Sequence, residues 1–198
     1  MKGGTSNPTD MLAARCGGKS QPRQSDAAQG DVKPNAPALP VLCGDLSMRI
    51  AHDGTWYYQG SPIGRLPLVK LFASVLRREA DGDYWLVTPA ERGRIIVDDA
   101  PFVAVEVSAE GRGREQRLTF RTNLDEEVVA GNEHPIRAAA DSASQAPIPY
   151  ILVRSGLEAR ILRPVFYHLV EFGEQQGDQF GVWSSGRFFP LGRLDPAL

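Results

Sequence analysis

Residues 53–65, DGTWYYQGSPIGR, place three adjacent aromatics ahead of a glycine and close on an arginine. The aromatic run prefers extended chain, a Gly-Ser pair reads as the turn, and Pro62 is best tolerated at a sheet edge. The stretch is therefore read as a β-hairpin. A helix is expected next, because Pro67 suits a first helical turn and Leu68, Leu71, Phe72, Val75 and Leu76 recur at helical spacing. The Asp-Gly of ADGD (80–83) is read as its end.

Working outward, a second hairpin, YILV then Ser-Gly then LEARIL, precedes a second expected helix from Pro164 through Gln175, with Val165, Leu169 and Phe172 on one face. An offset of 95 residues relates Arg65 to Arg160 and Gly82-Asp83 to Gly177-Asp178. At that offset hairpin faces hairpin, helix faces helix, and YWLVT faces QFGVW. The expectation is a ββαββ-type unit used twice.

Between the two units YWLVT, GRIIV, FVAVEV and QRLTFRT are short β-rich runs separated by turn signals; EEVVA adds a further extended piece, and EHPIRAAADSASQAP reads as a loop with a short extended piece at Pro135 and Ile136. Strands in hairpins, rather than strands alternating with crossover helices, make the fold α+β, with antiparallel strands and two main helices. The patterned chain begins at Asp45. Residues 1–44, rich in Gly, Pro, Ser, Gln and Asn, read as a disordered arm, 45–130 as an N-terminal α+β half and 131–198 as a C-terminal half.

Composition narrows the function classes. The chain has 198 residues, 42% hydrophobic and 23% charged, which suits a soluble globular protein. Of its basic residues 18 are Arg and 4 Lys; Arg suits forked bonding to carboxylate or phosphate, and a GC-rich coding sequence gives the same bias. Cys16 and Cys43 both fall in the arm, against a disulfide framework or a Cys-ligated zinc site. No signal peptide or membrane-spanning run is apparent, and the cytoplasm is the default location.

Candidate residues each carry two readings. Arg65, Arg154 and Arg160 could hold an anion in a groove between the halves, or form structural ion pairs with Glu79, Glu91 or Glu158. Trp56, Tyr57, Tyr58, Tyr150 and Trp183 could stack on a ligand ring or fill the core; strand alternation lets Trp56 and Tyr58 share a face that Tyr57 cannot. Tyr57 and Trp183 are taken as the better groove candidates, with His134 as a further contact. His52, His134 and His168 lie in different elements, so no metal-ligand spacing appears. Arg112, Arg114, Arg117 and Arg121 could meet phosphates, but Glu110 and Glu115 dilute them and the net charge is −2, so nucleic acid is not an expected partner. Asp98-Asp99 and Glu126-Glu127 read as turn residues, and Ser184-Ser185-Gly186 lacks a nucleophile elbow.

DGTWYYQGSPIGR, LFASVLRRE, LVTPAE, DDAPFVAVEV, LTFRTN, EHPIR, PYILVRSGLEAR and GVWSSGRFFPLG, in that order, resemble a bacterial family called domain of unknown function 1285. The resemblance runs from about residue 45 to the end. It implies a duplicated α+β core whose C-terminal half is pleckstrin-homology-like, a site for a nucleotide-like small molecule between the halves, and a role in bacterial signalling, with no enzymatic activity established for the family. The functional expectation is a non-enzymatic, cofactor-free binding protein for an anionic, nucleotide-like small molecule, held by Arg65, Arg154 and Arg160 and shaped by Tyr57, His134 and Trp183. The alternative is a ligand-independent protein-interaction module. An enzyme of unrecognised type is the least favoured.

Overall fold

The computed structural model describes residues 41–140 and 147–194. The chain enters on β1 (Val41–Ile50), followed by the hairpin β2 (Trp56–Tyr58) and β3 (Ser61–Pro62), helix α1 (Leu66–Ser74), and the meander β4 (Leu76–Arg78), β5 (Tyr84–Val87) and β6 (Glu91–Val97). These six strands form one sheet in the order β3-β2-β1-β6-β5-β4, antiparallel except for the central parallel pair β1 and β6. The second half contains β7 (Phe102–Glu110), β8 (Arg117–Thr122), β9 (Glu127–Val129), β10 (Ile136–Ala140), β11 (Pro147–Arg154), β12 (Leu157–Ile161), helix α2 (Arg163–Glu171), β13 (Gly173–Gln176), β14 (Gln179–Ser184) and β15 (Arg187–Arg193). Its main sheet runs β10-β11-β12-β7-β8-β9, with β12 and β7 parallel, and β13-β14-β15 form a third sheet.

The duplicated unit is present and longer than expected. β1 through β6 with α1 recur as β10 through β15 with α2, so each copy carries a strand before the hairpin and another directly after the helix. In the first copy β1 pairs with β6; in the second, β10 packs beside β15 without joining its sheet. Both hairpins turn on two residues of positive φ, Gln59-Gly60 (50° and 80°) and Ser155-Gly156 (39° and 77°), the backbone that matches strand twist. The first turn is therefore Gln59-Gly60 and not Gly60-Ser61. Pro62 lies on the edge strand β3, where a missing N–H costs no ladder bond.

Both helices are shorter than the apolar spacing implied. α1 stops at Ser74, where Val75 takes φ −101° and ψ 3°, and α2 stops at Glu171, where Phe172 takes φ −90° and ψ 3°. Leu76, fully buried, faces Leu86 across β4 and β5, so the last apolar position of the expected helix is a strand residue. ADGD and QQGD are hairpin turns. The arm expected over 1–44 loses its last four residues to β1, and residues 1–40 lie outside the described ones. The domain division also moves, because β7–β9, grouped above with the N-terminal half, hydrogen-bond through β7 to β12 and belong to the second.

A continuous core runs through both halves. Trp56, Phe72, Leu76 and Leu86 fill it in the first; Phe102, Phe120, Leu169 and Phe189 do so in the second. Each such side chain contributes about 1.5–3 kcal/mol by leaving water. Polar side chains tie the third sheet to the second. Ser184, wholly buried, accepts from Leu118 N (2.9 Å) and donates to Ala130 O (2.7 Å), while Gln116 Nε2 donates to Trp183 O (2.9 Å). Replacing Ser184 by alanine leaves the buried Leu118 N–H unmatched, while Ala130 O keeps the bond from Ser185 Oγ (2.9 Å). The S184A variant is expected to lose about 1–3 kcal/mol in denaturant unfolding, whereas an unchanged midpoint would show that the hydroxyl ties nothing together.

Candidate functional site

Two elements from different halves face each other across a groove. One is α1, whose Val69, Phe72 and Ala73 are buried while Lys70 and Ser74 are exposed. The other is the β8–β9 turn, residues 123–126, shaped by Thr122 Oγ1, which accepts from Leu124 N (3.3 Å) and Glu126 N (3.1 Å). Asp125 at its tip holds φ 60°, a left-handed conformation that Asp tolerates better than most residues. Asn123 joins the turn to the opening hairpin: its Nδ2 donates to Gly54 O (3.2 Å) and its Oδ1 accepts from Val103 N (3.2 Å). Gly54, at φ 80°, is needed there, since a Cβ would stand 2.7 Å from Asn123 Nδ2.

Two cavities adjoin at Leu124. The larger, about 380 Å³, is lined by Lys70, Ser74, Asp125, Glu126 and Arg154. The smaller, about 180 Å³, lies under the hairpin against Trp56, Ile63, Leu66, Val69 and Asn123. One end of the groove is thus charged and the other apolar. Trp56 is 1% exposed and stacks on Phe72 with ring centroids 6.4 Å apart, and its indole Nε1 has no acceptor among the described residues.

The charges of the larger cavity are matched. Lys70 Nζ lies 2.7 Å from Asp125 Oδ2, Arg154 pairs with Glu126, and Arg154 Nη2 donates to Ala73 O of α1 (2.9 Å). Arg121 reaches Asp125 (3.4 Å) but is bound more closely to Glu106 (2.6 Å). The hydrogen bond and charge of Lys70 hold the Asp125 carboxyl below the usual carboxylate range, and the Glu106 carboxylate raises the Arg121 guanidinium.

A second polar cluster lies elsewhere. Asp99 accepts from Tyr150 Oη (2.8 Å) and Arg160 Nη1 (3.2 Å), and Arg137 grips both oxygens of Glu158 while covering the Tyr150 ring at 4.2 Å. Burial, then the bond to Asp99, pushes the Tyr150 phenol up to about 12. Every charge in it has a partner, so the cluster acts as a structural network.

Of the residues picked out from the sequence, the structure brings Arg154 into the groove. Arg65 is the N-cap of α1, exposed at the rim between two residues that line the smaller cavity, and has no ion pair among the described residues. Arg160 is held at Asp99 and is not the structural counterpart of Arg65. α2 is capped by Leu162, because β12 runs longer than β3 and the 95-residue offset slips between hairpin and helix. Tyr57 stands opposite Arg49, which pairs with Asp98, and it is Trp56 that reaches the cavity. His134 Nδ1 is hydrogen-bonded to Leu152 O at 3.0 Å. Trp183 is 8% exposed beneath Arg114 and beside Phe188 in the third sheet. Lys70, Asp125 and Glu126 were missed as site residues. A signal existed for one of them, since Lys70 is the sole lysine of the patterned chain. Among the described residues no group of His, Cys, Asp and Glu is placed to hold a metal ion, and no helix is long and apolar enough to cross a membrane.

These features define a duplicated α+β scaffold whose second half has the curled sheets of pleckstrin-homology-like folds and whose groove lies between the halves. Two family models match: "Domain of unknown function (DUF1285), N-terminal domain" over residues 37–100 and "Protein of unknown function (DUF1285), C-terminal domain" over 101–191. A crystal structure of a DUF1285 family protein from Silicibacter pomeroyi DSS-3 is 49% identical, covering 84% of this chain and 97% of that one, with a TM-score of 0.75. Another, from Shewanella baltica OS155, is 25% identical over 63% of this chain and 90% of that one, with a TM-score of 0.49. No curated protein matches. The chain belongs to the DUF1285 family, and the family boundary at 100 and 101 falls between β6 and β7, where the sheets also divide.

The matched charges give a titration to follow. Replacing Lys70 by methionine should raise the Asp125 carboxyl toward the ordinary aspartate value of about 3.9, read by carboxyl NMR. The sign follows from the depressed folded value. The Lys70–Asp125 pair stabilises the fold above the ordinary aspartate range and ceases to do so as pH falls through the lowered one. An Asp125 titration identical in both proteins would show that Lys70 does not set it.

Proposed function

We propose that this protein is a non-enzymatic binding protein with a regulatory role, which takes a small molecule bearing an anionic group into the groove between α1 and the β8–β9 turn. The observation that carries this reading is the placement of one cation from each half on the same cavity, Lys70 from α1 and Arg154 from the end of β11. Both present N–H donors toward carboxylates that an anionic ligand group can replace. At about 380 Å³ the charged cavity sits near the lower end of the ~300–1,000 Å³ typical of small-ligand sites. Occupancy would bear on both halves, since Arg154 also holds Ala73 O of α1.

A thermal-shift panel of monophosphate nucleotides, carboxylates and amino acids tests this. A ligand present at 100 times its Kd stabilises by about 2.7 kcal/mol, and K70M together with R154A should weaken any hit about tenfold or more. If hits are untouched by both substitutions, the groove is not the site. A stable protein partner indifferent to added small molecules would favour the interaction-module alternative.

A further inference from the structure

We infer that the ligand of this groove is a small zwitterion with an apolar side chain, a free branched-chain or similarly apolar α-amino acid, and not a polyanion such as a nucleoside polyphosphate. The inference rests on the preceding reading of the groove as a ligand site, and three observations narrow that reading to one chemistry.

The first is charge balance. The lining of the larger cavity brings two cations, Lys70 and Arg154, and two carboxylates, Asp125 and Glu126. A polyanion entering there meets two fixed carboxylates as well as the two cations, so each added charge beyond the first is repelled at short range. A zwitterion meets no such mismatch. Its carboxylate takes the place of Asp125 or Glu126 at a cation, its ammonium takes the place of Lys70 or Arg154 at a carboxylate, and the net charge of the site is unchanged. No charge is left buried without a partner.

The second is exchangeability. The Lys70 and Asp125 side chains are 42% and 53% exposed, and those of Arg154 and Glu126 are 31% and 35%. Partly solvated pairs of this kind contribute little to stability, so opening them for a ligand of like charges costs little. Asp125, at the tip of its turn with φ 60°, is also held by its backbone N–H, which donates to Thr122 O (3.0 Å), so the turn stays in place when the carboxylate changes partner.

The third is the apolar end. Leu124 belongs to both cavities, and beyond it the smaller one, about 180 Å³, is walled by Trp56, Ile63, Leu66 and Val69. Leu66 is 43% exposed at its lip, an apolar surface that a ligand side chain of Leu or Ile size would cover. A head with two opposite charges and a short branched apolar tail matches both ends.

The experiment is calorimetric titration of the full chain with leucine, isoleucine, N-acetyl-leucine, leucinamide, 4-methylpentanoate, AMP and ATP, repeated on D125N and E126Q. Asn tolerates the left-handed backbone at 125, and Glu126→Gln supplies a second variant that keeps side-chain size. Leucine or isoleucine should bind about tenfold or more tightly than either singly capped form, since each cap removes one charge-assisted bond. The variants discriminate by sign. Removing a carboxylate should weaken the amino acid, which loses the partner of its ammonium, and tighten 4-methylpentanoate, which loses a repulsion. If AMP, ATP or 4-methylpentanoate binds in a K70M-sensitive manner more tightly than leucine and isoleucine, or if D125N and E126Q tighten the amino acids, the zwitterion assignment is overturned and the groove reading stands. If no compound in the set or in the wider panel binds, both are overturned.

Discussion

Asn123 holds the two halves in register. Its side-chain amide occupies both of its roles at once, donating to the carbonyl of Gly54 in the first half and accepting from the backbone of Val103 in the second. The turn that carries the charged residues of the groove begins at this side chain, so Asn123, together with the Thr122 bonds within the turn, sets where Leu124, Asp125 and Glu126 meet α1. Gly54 supplies the other half of the constraint, since no side chain fits between its backbone and that amide. DGTWYYQGSPIGR opens on the contact that docks it.

Duplication explains the architecture, and divergence between the copies explains the groove. Both copies have the strand, hairpin, helix and meander, but only in the first does the meander close against the leading strand to make a six-stranded sheet. In the second, β12 is already paired with β7, and the strands β7–β9 extend the sheet away from the hairpin. The β8–β9 turn, which has no counterpart in the first copy, is the element that reaches α1. The groove is therefore made where a repeated piece meets an unrepeated one.

Hairpins were legible because a glycine of positive φ, Gly60 in the first and Gly156 in the second, interrupts each β-rich run, although the first turn lies one residue ahead of the Gly-Ser pair. Helix ends were not, because Leu76 continues the helical apolar spacing while packing as the first residue of a strand, and Phe172 repeats the ambiguity at the end of α2. The groove was legible only in part. Arg154 was found as a cation beside a turn, but Lys70, Asp125 and Arg154 come from three elements that sheet pairing, invisible in local pattern, brings together. Parity on β2 shows the same limit: alternation separates Trp56 from Tyr57, yet which of them faces inward depends on Met48 and Ile50 of β1, both buried, across the ladder.

Beside the shared apolar core, the polar contacts that flank the groove are of two physical kinds, and the difference assigns them different work. The Asn123 bonds are between neutral groups at a half-buried junction, so salt and ordinary changes of pH leave them alone. The Lys70–Asp125 and Arg154–Glu126 pairs are partly exposed and screened over about 8 Å at physiological ionic strength, which makes them the replaceable set. Arg154 connects the two kinds, because the guanidinium that pairs with Glu126 also holds the carbonyl of Ala73 near the end of α1. A group that competes for Arg154 competes with the end of the helix as well as with a carboxylate. The seat of α1 on the second half is thus coupled to whatever occupies the groove, while the junction at Asn123 holds the register about which that coupling acts.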